Sequence, residues 1–345
     1  MSEYYANAHP QSRSNQKMVL TYENRGEIYI PEVEEGAQLV AYRDGTASEF
    51  TATILTDHVI DPGDVVTVKD YFWNDKGFDV FYGYVFTTEH GKNPHEVTIT
   101  CYDQLRYLKN KDTYVFSNTT LRTRVTRILD DYNLTYKNGI TTNSYKIQPS
   151  IYENQTLLDM IQDSISQVLL YTGKQYVLFD DHGTIALVDL EADYFDSKLM
   201  YELSSMEDYS MKSTIDDDTY NSVIINYKDE DRGVIRVAGS ASDQKSIQRY
   251  GLLRTSETTD DPDYAQDRAD MLLQLYNRVK RTLTLSGVPC NSACFIRPGH
   301  RIYCKMNLGD NMQDGYLIVN QCTTTWNNYE RVMDLVMEGG IYDAE

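Results

Sequence analysis

Carboxylates crowd two stretches of this chain, Glu207 to Asp218 and Asp260 to Asp270. Two carboxyl groups held ~5–10 Å apart, one with a raised pKa, can cleave a glycosidic bond. Nothing in the spacing of either stretch selects such a pair, and acidic runs ordinarily serve as solvated turns and helix caps. No catalytic residue is therefore expected. A hidden hydrolase would show itself if the chain alone cleared cell walls and one carboxylate substitution abolished the clearing.

The soft ligands are as scattered. Cys290 and Cys294 form a C-x3-C with Cys304 beyond, and His90 and His95 share the loop HGKNPH. A zinc framework needs two close pairs supplying four ligands, which neither group provides. The expectation is no metal and no cofactor. Five cysteines (Cys101, Cys290, Cys294, Cys304, Cys322) are an odd count in mostly β-like segments and read as reduced, small hydrophobes. No G-x-S-x-G, phosphate loop, H-E-x-x-H or G-x-G-x-x-G occurs, which moves weight from an enzyme to an assembly protein.

Composition points the same way. With 345 residues, 41% hydrophobic and 24% charged, the chain can bury two or three cores. Its 29 tyrosines suit half-buried strands and wet interfaces. A net charge of −20 and a pI near 4.7 argue against stable nucleic-acid binding, which rests on Lys and Arg neutralising phosphates. The charge serves solubility or a surface past which nucleic acid slides. The opening MSEYYANAHPQSRSNQ has no apolar run and no later stretch has the length of a membrane span, so synthesis in the cytoplasm and no membrane anchor are expected.

A polar arm over 1–16 precedes short strands punctuated by Gly, Pro, Asn and Asp, which predict a first small β-barrel over 17–117. An α+β segment over 118–200 follows. Leu121, Val125, Ile128, Leu129 and Tyr132 mark one helix between Thr120 and Tyr132. A second opens at Thr156 as cap, carries the stripe Leu158, Ile161, Ile165, Val168 and Leu169, and stops at Gly173. The turn Asp180-Asp181-His182-Gly183 then joins YVLF to TIALV.

A second β-barrel is expected over 201–345, its strands beginning near the hairpin SVIINY to VIRVA. GSASDQKSIQRYG reads as loop. Asp261-Pro262-Asp263 opens a helix over 262–280 whose stripe is Ala265, Ala269, Leu272, Tyr276 and Val279, packing on a sheet or on copies of itself. The fold class is thus α+β and β-rich, with two similar barrels around α+β segments.

That the barrels are similar rests on a repeat. IDPGDVVTVK (Ile60 to Lys69) returns 236 residues later as IRPGHRIYCK (Ile296 to Lys305). At the same offset Thr87-Thr88 falls on Thr323-Thr324, and Val97 to Cys101 on Met333 to Met337. Pro-Gly before a strand is also ordinary turn chemistry, so coincidence stands beside duplication.

The run ITCYDQLRYLKNKDTYVFSNTT (Ile99 to Thr120) resembles the XkdQ-type hub proteins of contractile phage tails and phage-tail-like bacteriocins of Gram-positive bacteria. FYGYVFTTEH, the block from Thr156 to Glu191, the helix DYAQDRADMLLQLYNRVKRTLTLSG and the Pro-Gly strand also fit, so the resemblance spans about Lys17 to Gly340. It implies a structural baseplate hub, a homotrimer that forms a ring between a sixfold tail tube and a threefold central spike. Two barrels per subunit would give the ring six. The implied neighbours are the tail tube or tube-initiator protein, the central spike protein, a LysM-bearing tail protein, baseplate wedge proteins and the tape measure protein. The implied location is the tail baseplate, assembled in the bacterial cytoplasm. Two alternatives stay open: a tail-associated cell-wall hydrolase, and a carbohydrate-binding module that uses Tyr, Trp73 or Trp326 to stack on sugars.

Overall fold

The computed structural model describes residues 18–71, 76–137, 140, 144–190, 198–200, 208–229, 233–259, 262–289, 296–307, 312–327 and 330–339. The arm over 1–16 lies outside them. The chain is mostly β. In Glu49–Leu55, Val65–Asp70 and Glu96–Tyr102 every second residue is buried, the pattern of strands with one face on a core. Leu20, Tyr22, Phe50, Ile54, Val66, Val68, Ile99 and Cys101 build that core.

In the first unit the strands lie in the order Ala37–Tyr42, Glu49–Leu55, Glu96–Tyr102, Phe78–His90, Val65–Asp70. The second repeats it as Asp208–Thr214, Lys280–Pro289, Arg331–Gly339, Met312–Trp326, Arg301–Asn307. All of these neighbours are antiparallel. The two five-stranded units, each an antiparallel pair of strands followed by a three-stranded meander in the spatial order 1-2-5-4-3, therefore have one topology. A separate core of Leu283, Leu285, Ile302, Cys304, Leu317, Val319, Met333, Leu335 and Met337 fills the second.

The register corrects the expected repeat. Val65 pairs with Tyr84, and Val85 with Cys101 before a bulge at Phe86. Arg301 pairs with Ile318, and Val319 with Met337 before a bulge at Asn320. The outer strands thus match at an offset of 236, whereas the long central strands match at 234. A two-residue slip keeps every side chain on its face because the strand period is two. Thr87 and Thr88 consequently correspond to Gln321 and Cys322; their identity with Thr323-Thr324 is a coincidence of composition.

The units are not two closed barrels. Gln321–Trp326 also pairs with Ala37–Tyr42, so the strands join one open 14-stranded sheet. The long central strand of the second unit has room for this second partner because Arg301–Asn307 covers only its first half. A strand Lys198–Met200 adds to Arg301–Asn307 in parallel, and Met18–Asn24 adds to Val65–Asp70 antiparallel.

Between the units lies an α+β layer. Helix α1 is Leu121–Asp131, capped by Thr120, whose hydroxyl accepts from the Thr123 amide at 3.3 Å. Helix α2 is Leu157–Thr172; Thr156 accepts from the Asp159 amide at 3.1 Å, and Gly173 ends it with φ 71°. Its buried face is Leu157, Met160, Ile161, Ser164, Ile165 and Val168; Leu158 and Leu169 are half-buried at its margin. The hairpin Tyr176–Asp180 to Ile185–Asp189 forms as expected.

An insert separates the first two strands of the second unit. SVIINY and VIRVA do not open that unit; they pair in a sheet of their own, with Arg254–Thr259 parallel to Ser222–Asp229. The expected loop contains helix α3, Gln244–Tyr250, capped by Asp243, which accepts from the Lys245 amide at 3.0 Å. Helix α4 is Ala265–Tyr276, shorter than 262–280, and its cap is Tyr264 without a side-chain bond. Asn277 ends it and Lys280 already begins a strand, so Val279 lies outside it. Ala265, Ala269 and Leu272 pack on Val223 and Ile225. The helix can approach because Gly239 has no Cβ: one there would sit 2.3 Å from the Ala265 carbonyl oxygen.

Candidate functional site

Each Pro-Gly motif is a type II-like turn at the same place in its meander. Asp64 donates its amide to the Asp61 carbonyl at 3.1 Å, and His300 donates to the Arg297 carbonyl at 3.1 Å. Gly63 and Gly299 take φ 100° and 90°, which favours glycine at that position. The turn then grips the central strand. Gly63 donates to the Val85 carbonyl at 2.7 Å and Val85 to that of Asp64 at 2.9 Å; Gly299 donates to Val319 at 2.8 Å and Val319 to His300 at 2.9 Å. Even the side chains after the glycines agree in role: Asp64 Oδ2 accepts from the Asp61 amide, and His300 Nδ1 from the Arg297 amide.

The second turn meets the first unit and the α+β layer in a polar junction. Asp103, the aspartate of the ITCYD run, follows Glu96–Tyr102 and is fully buried; it accepts from the Ser48 and Leu105 amides at 2.9 and 3.0 Å. Asp180 accepts from Gln104 Nε2 at 2.8 Å and from the Gly183 amide at 2.6 Å. Burial lifts both carboxyls above their usual range, and for Asp103 the neighbouring Asp180 adds to it. Asp181 behaves oppositely: against the effect of burial, hydrogen bonds from Lys137 and Arg297 hold it at about 2. Arg297 reaches Asp181 Oδ1 at 2.8 Å and His182 Nε2 at 2.7 Å. Burial, aided by Arg297, lowers His182 to about 4 and keeps it neutral.

Shifted carboxylates in a cleft are a signature of acid–base chemistry, but they also arise in structural ion networks. Here Asp103 and Asp180 have backbone or amide partners and Asp181 has Lys137 and Arg297, and the cavity that Asp103 and Asp180 border holds about 50 Å³. Small-molecule sites run to ~300–1,000 Å³, so a sugar ring has no room at this spot. What the arrangement does is fasten three segments distant in sequence: Asp103, the Asp180 to Gly183 turn, and Arg297.

A second buried fastening joins the units. Asp70, at the end of Val65–Asp70, accepts from Trp326 Nε1 at 3.1 Å and pairs with Arg331. Asp70 is 0% and Arg331 2% exposed. Trp326 is buried at 3% and its indole donor is used, so it presents no face to a sugar. Trp73 lies outside the described residues.

The other sequence candidates do not converge. Asp208, Asp216 and Asp217 are exposed, Asp217 bonding Lys212 at 2.9 Å; Asp270 accepts from Gln266 on α4 at 3.2 Å. Glu207, Asp260 and Asp261 lie outside the described residues. Cys101, Cys304 and Cys322 are buried and in no disulfide, the Cys304 thiol pushed up to about 12 by burial, while Cys290 and Cys294 lie outside the described residues. His95 pairs with Asp57 at 2.7 Å on the surface, apart from any cysteine. Among the described residues no cluster of three or more His, Cys, Asp or Glu could hold a metal, and no helix is long and apolar enough to cross a membrane. The polar junction was not singled out from sequence, although its Arg297 sits inside the second Pro-Gly motif and its Asp103 inside the ITCYD run.

Comparison with known proteins agrees with this scaffold. A family model described as YQBQ-like matches residues 37–338. The phage-like element PBSX protein XkdQ of Bacillus subtilis (strain 168) is 29% identical over 265 residues, 73% of this chain and 77% of that protein. YqbQ of the same organism is 30% identical over 239 residues, covering 66% and 69%. Among solved structures, the 43 kDa tail protein of prophage MuSo2 from Shewanella oneidensis shares the fold with a TM-score of 0.67 at 11% identity, over 92% of this chain and 98% of that one. A match across both meanders and everything between them makes this chain a member of the YQBQ-like family.

Proposed function

We propose that this protein is a structural hub of a contractile tail baseplate, without enzymatic activity. Three copies form a ring that joins a sixfold tube to a threefold spike. The observation that carries the reading is the repetition, within one chain, of a five-stranded unit with the same order, the same bulge and the same Pro-Gly grip. Three such chains present six similar units, the match that a threefold-to-sixfold junction requires. The two Pro-Gly hairpins occupy equivalent positions around the ring.

In this reading 17–117 and 201–345 are the two ring modules, 118–200 is the α+β module between them, and 1–16 is an arm. The tube or tube-initiator protein lies above the ring, the spike and a LysM-bearing protein below or beside it, wedges outside, and the tape measure protein within the same tail. The net charge of −20 lines the lumen with acid and lets nucleic acid pass without sticking. Exposed Val115 and Ile151, opposite one another, and Val234, Ile235 and Val237 on the insert are apolar surfaces for such neighbours.

The test is omission of this chain during tail assembly. Tubes and spikes left unjoined support the hub; complete baseplates without it refute it. Cell-wall clearing by the purified chain would instead establish the hydrolase.

A further inference from the structure

The quasi-repeat is filled unequally. In the second meander, Gln321–Trp326 is flanked on both sides, by Arg331–Gly339 and by Ala37–Tyr42. Its counterpart in the first meander, 234 residues earlier, begins at Thr87. Thr87–His90 pairs with Glu96–Tyr102 on one side, and among the described residues no strand pairs with its other side. The inserted strand shows the converse. Ala37–Tyr42 pairs on both edges, whereas among the described residues its counterpart Asp208–Thr214 pairs with Lys280–Pro289 alone. Each chain therefore makes one such contact internally and carries the two unjoined halves of another.

We propose that these halves join between copies: Asp208–Thr214 of one chain adds, antiparallel, to Thr87–His90 of the next. The proposal rests on the ring reading and specifies its interface. Exposed strand edges are templates for such addition, and a head-to-tail contact of this kind closes a ring when its rotation allows.

The register follows from the internal pair. Leu39 pairs with Phe50 and Phe50 with Cys101; Met211 pairs with Leu283 and Leu283 with Met337, so Leu39 corresponds to Met211. Since Gln321 faces Tyr42 and Thr323 faces Val40, Thr87 faces Thr214 and Glu89 faces Lys212. Charge played no part in that derivation, yet it sets a carboxylate opposite an ammonium, a favourable cross-strand pair. Both are exposed; within the chain Lys212 bonds Asp217 at 2.9 Å, a surface contact it can exchange.

The internal bond from the Arg43 amide to the Asn320 carbonyl makes Val40 and Thr323 a non-hydrogen-bonded pair, the closer kind, whose geometry admits a disulfide. The experiment is oxidation of the full chain carrying Glu89→Cys and Lys212→Cys, read by mass without reductant. The single variants and the off-register pair Glu89→Cys with Asp208→Cys are controls. The expected result is covalent species heavier than one chain for the in-register pair, at least tenfold above every control. Equal cross-linking of both pairs, or none heavier than one chain, overturns the pairing. If that happens while tail particles still contain three copies, the hub reading stands and only this interface falls; the Glu89→Lys with Lys212→Glu exchange, which should restore association lost in Glu89→Lys, gives the second check.

Discussion

At the scale of single residues, the chain uses polar groups as fasteners. Tyr114 donates to Asp131 at 2.8 Å, Tyr136 to Asp130 at 2.9 Å and Tyr102 to Glu49 at 2.8 Å, which gives many tyrosines of an acidic chain a partner. The Asp70–Arg331 pair is the most buried fastener. Removing one partner strands the other, so Arg331→Ala should lower unfolding free energy by ~3–5 kcal/mol. Replacing both by apolar residues of similar volume should cost much less, as denaturant midpoints will show. The polar junction predicts a pH dependence. Asp103 and Asp180 have folded pKa values raised above the unfolded ones. Their contribution is complete below the ordinary carboxylate range, ~4, and is lost as pH rises through the elevated values. His182 works against this at low pH: its lowered pKa, about 4, makes stability rise with pH up to the ordinary histidine value of 6.5. Above that only the carboxylate slope remains, so stability should fall from pH ~6.5 to ~8.5, and Asp103→Asn should flatten the fall. A rise over that interval, or an unchanged slope in the variant, would contradict the junction as described.

At the scale of elements, the close approach of α4 to the insert sheet turns on one glycine. Gly239→Ala places a methyl 2.3 Å from the Ala265 carbonyl oxygen and should destabilise by ~1–3 kcal/mol through forced displacement, measured by thermal or chemical unfolding. Period and punctuation made much of the fold readable: Thr156 and Gly173 bound α2, and alternation exposed the meander strands. Three misses have separate causes. Asp208–Thr214 is hidden because its acids and polar residues read as a solvated run, whereas an edge strand exposed at most positions tolerates that composition. Helix α3 reads as loop because it buries no residue and so has no apolar stripe; Asp243 is its signal. The limits of α4 were overdrawn because Asp-Pro-Asp is a start signal that here forms a preceding turn, Ala265 donating to Pro262 at 3.3 Å.

At the scale of the whole molecule, a sequence repeat that shares only a few residues is a matched pair of five-stranded units. Its detection depended on the turn, where Pro and Gly are held by backbone geometry; the central strand drifted by two residues, which side-chain period permits and identity counting obscures. Fusion through Gln321–Trp326 and Ala37–Tyr42 could not be read from sequence, because the backbone groups of a strand edge carry no partner signal in the residue types QCTTTW and AQLVAY. The polar junction escaped for a related reason: its groups come from three distant segments. The central claim is that one chain supplies two quasi-equivalent units to a closed threefold assembly. Quantitative mass spectrometry of purified tail particles, counting this chain against the tube protein, tests it most directly. Three copies per particle are predicted; six copies, or none, would contradict it.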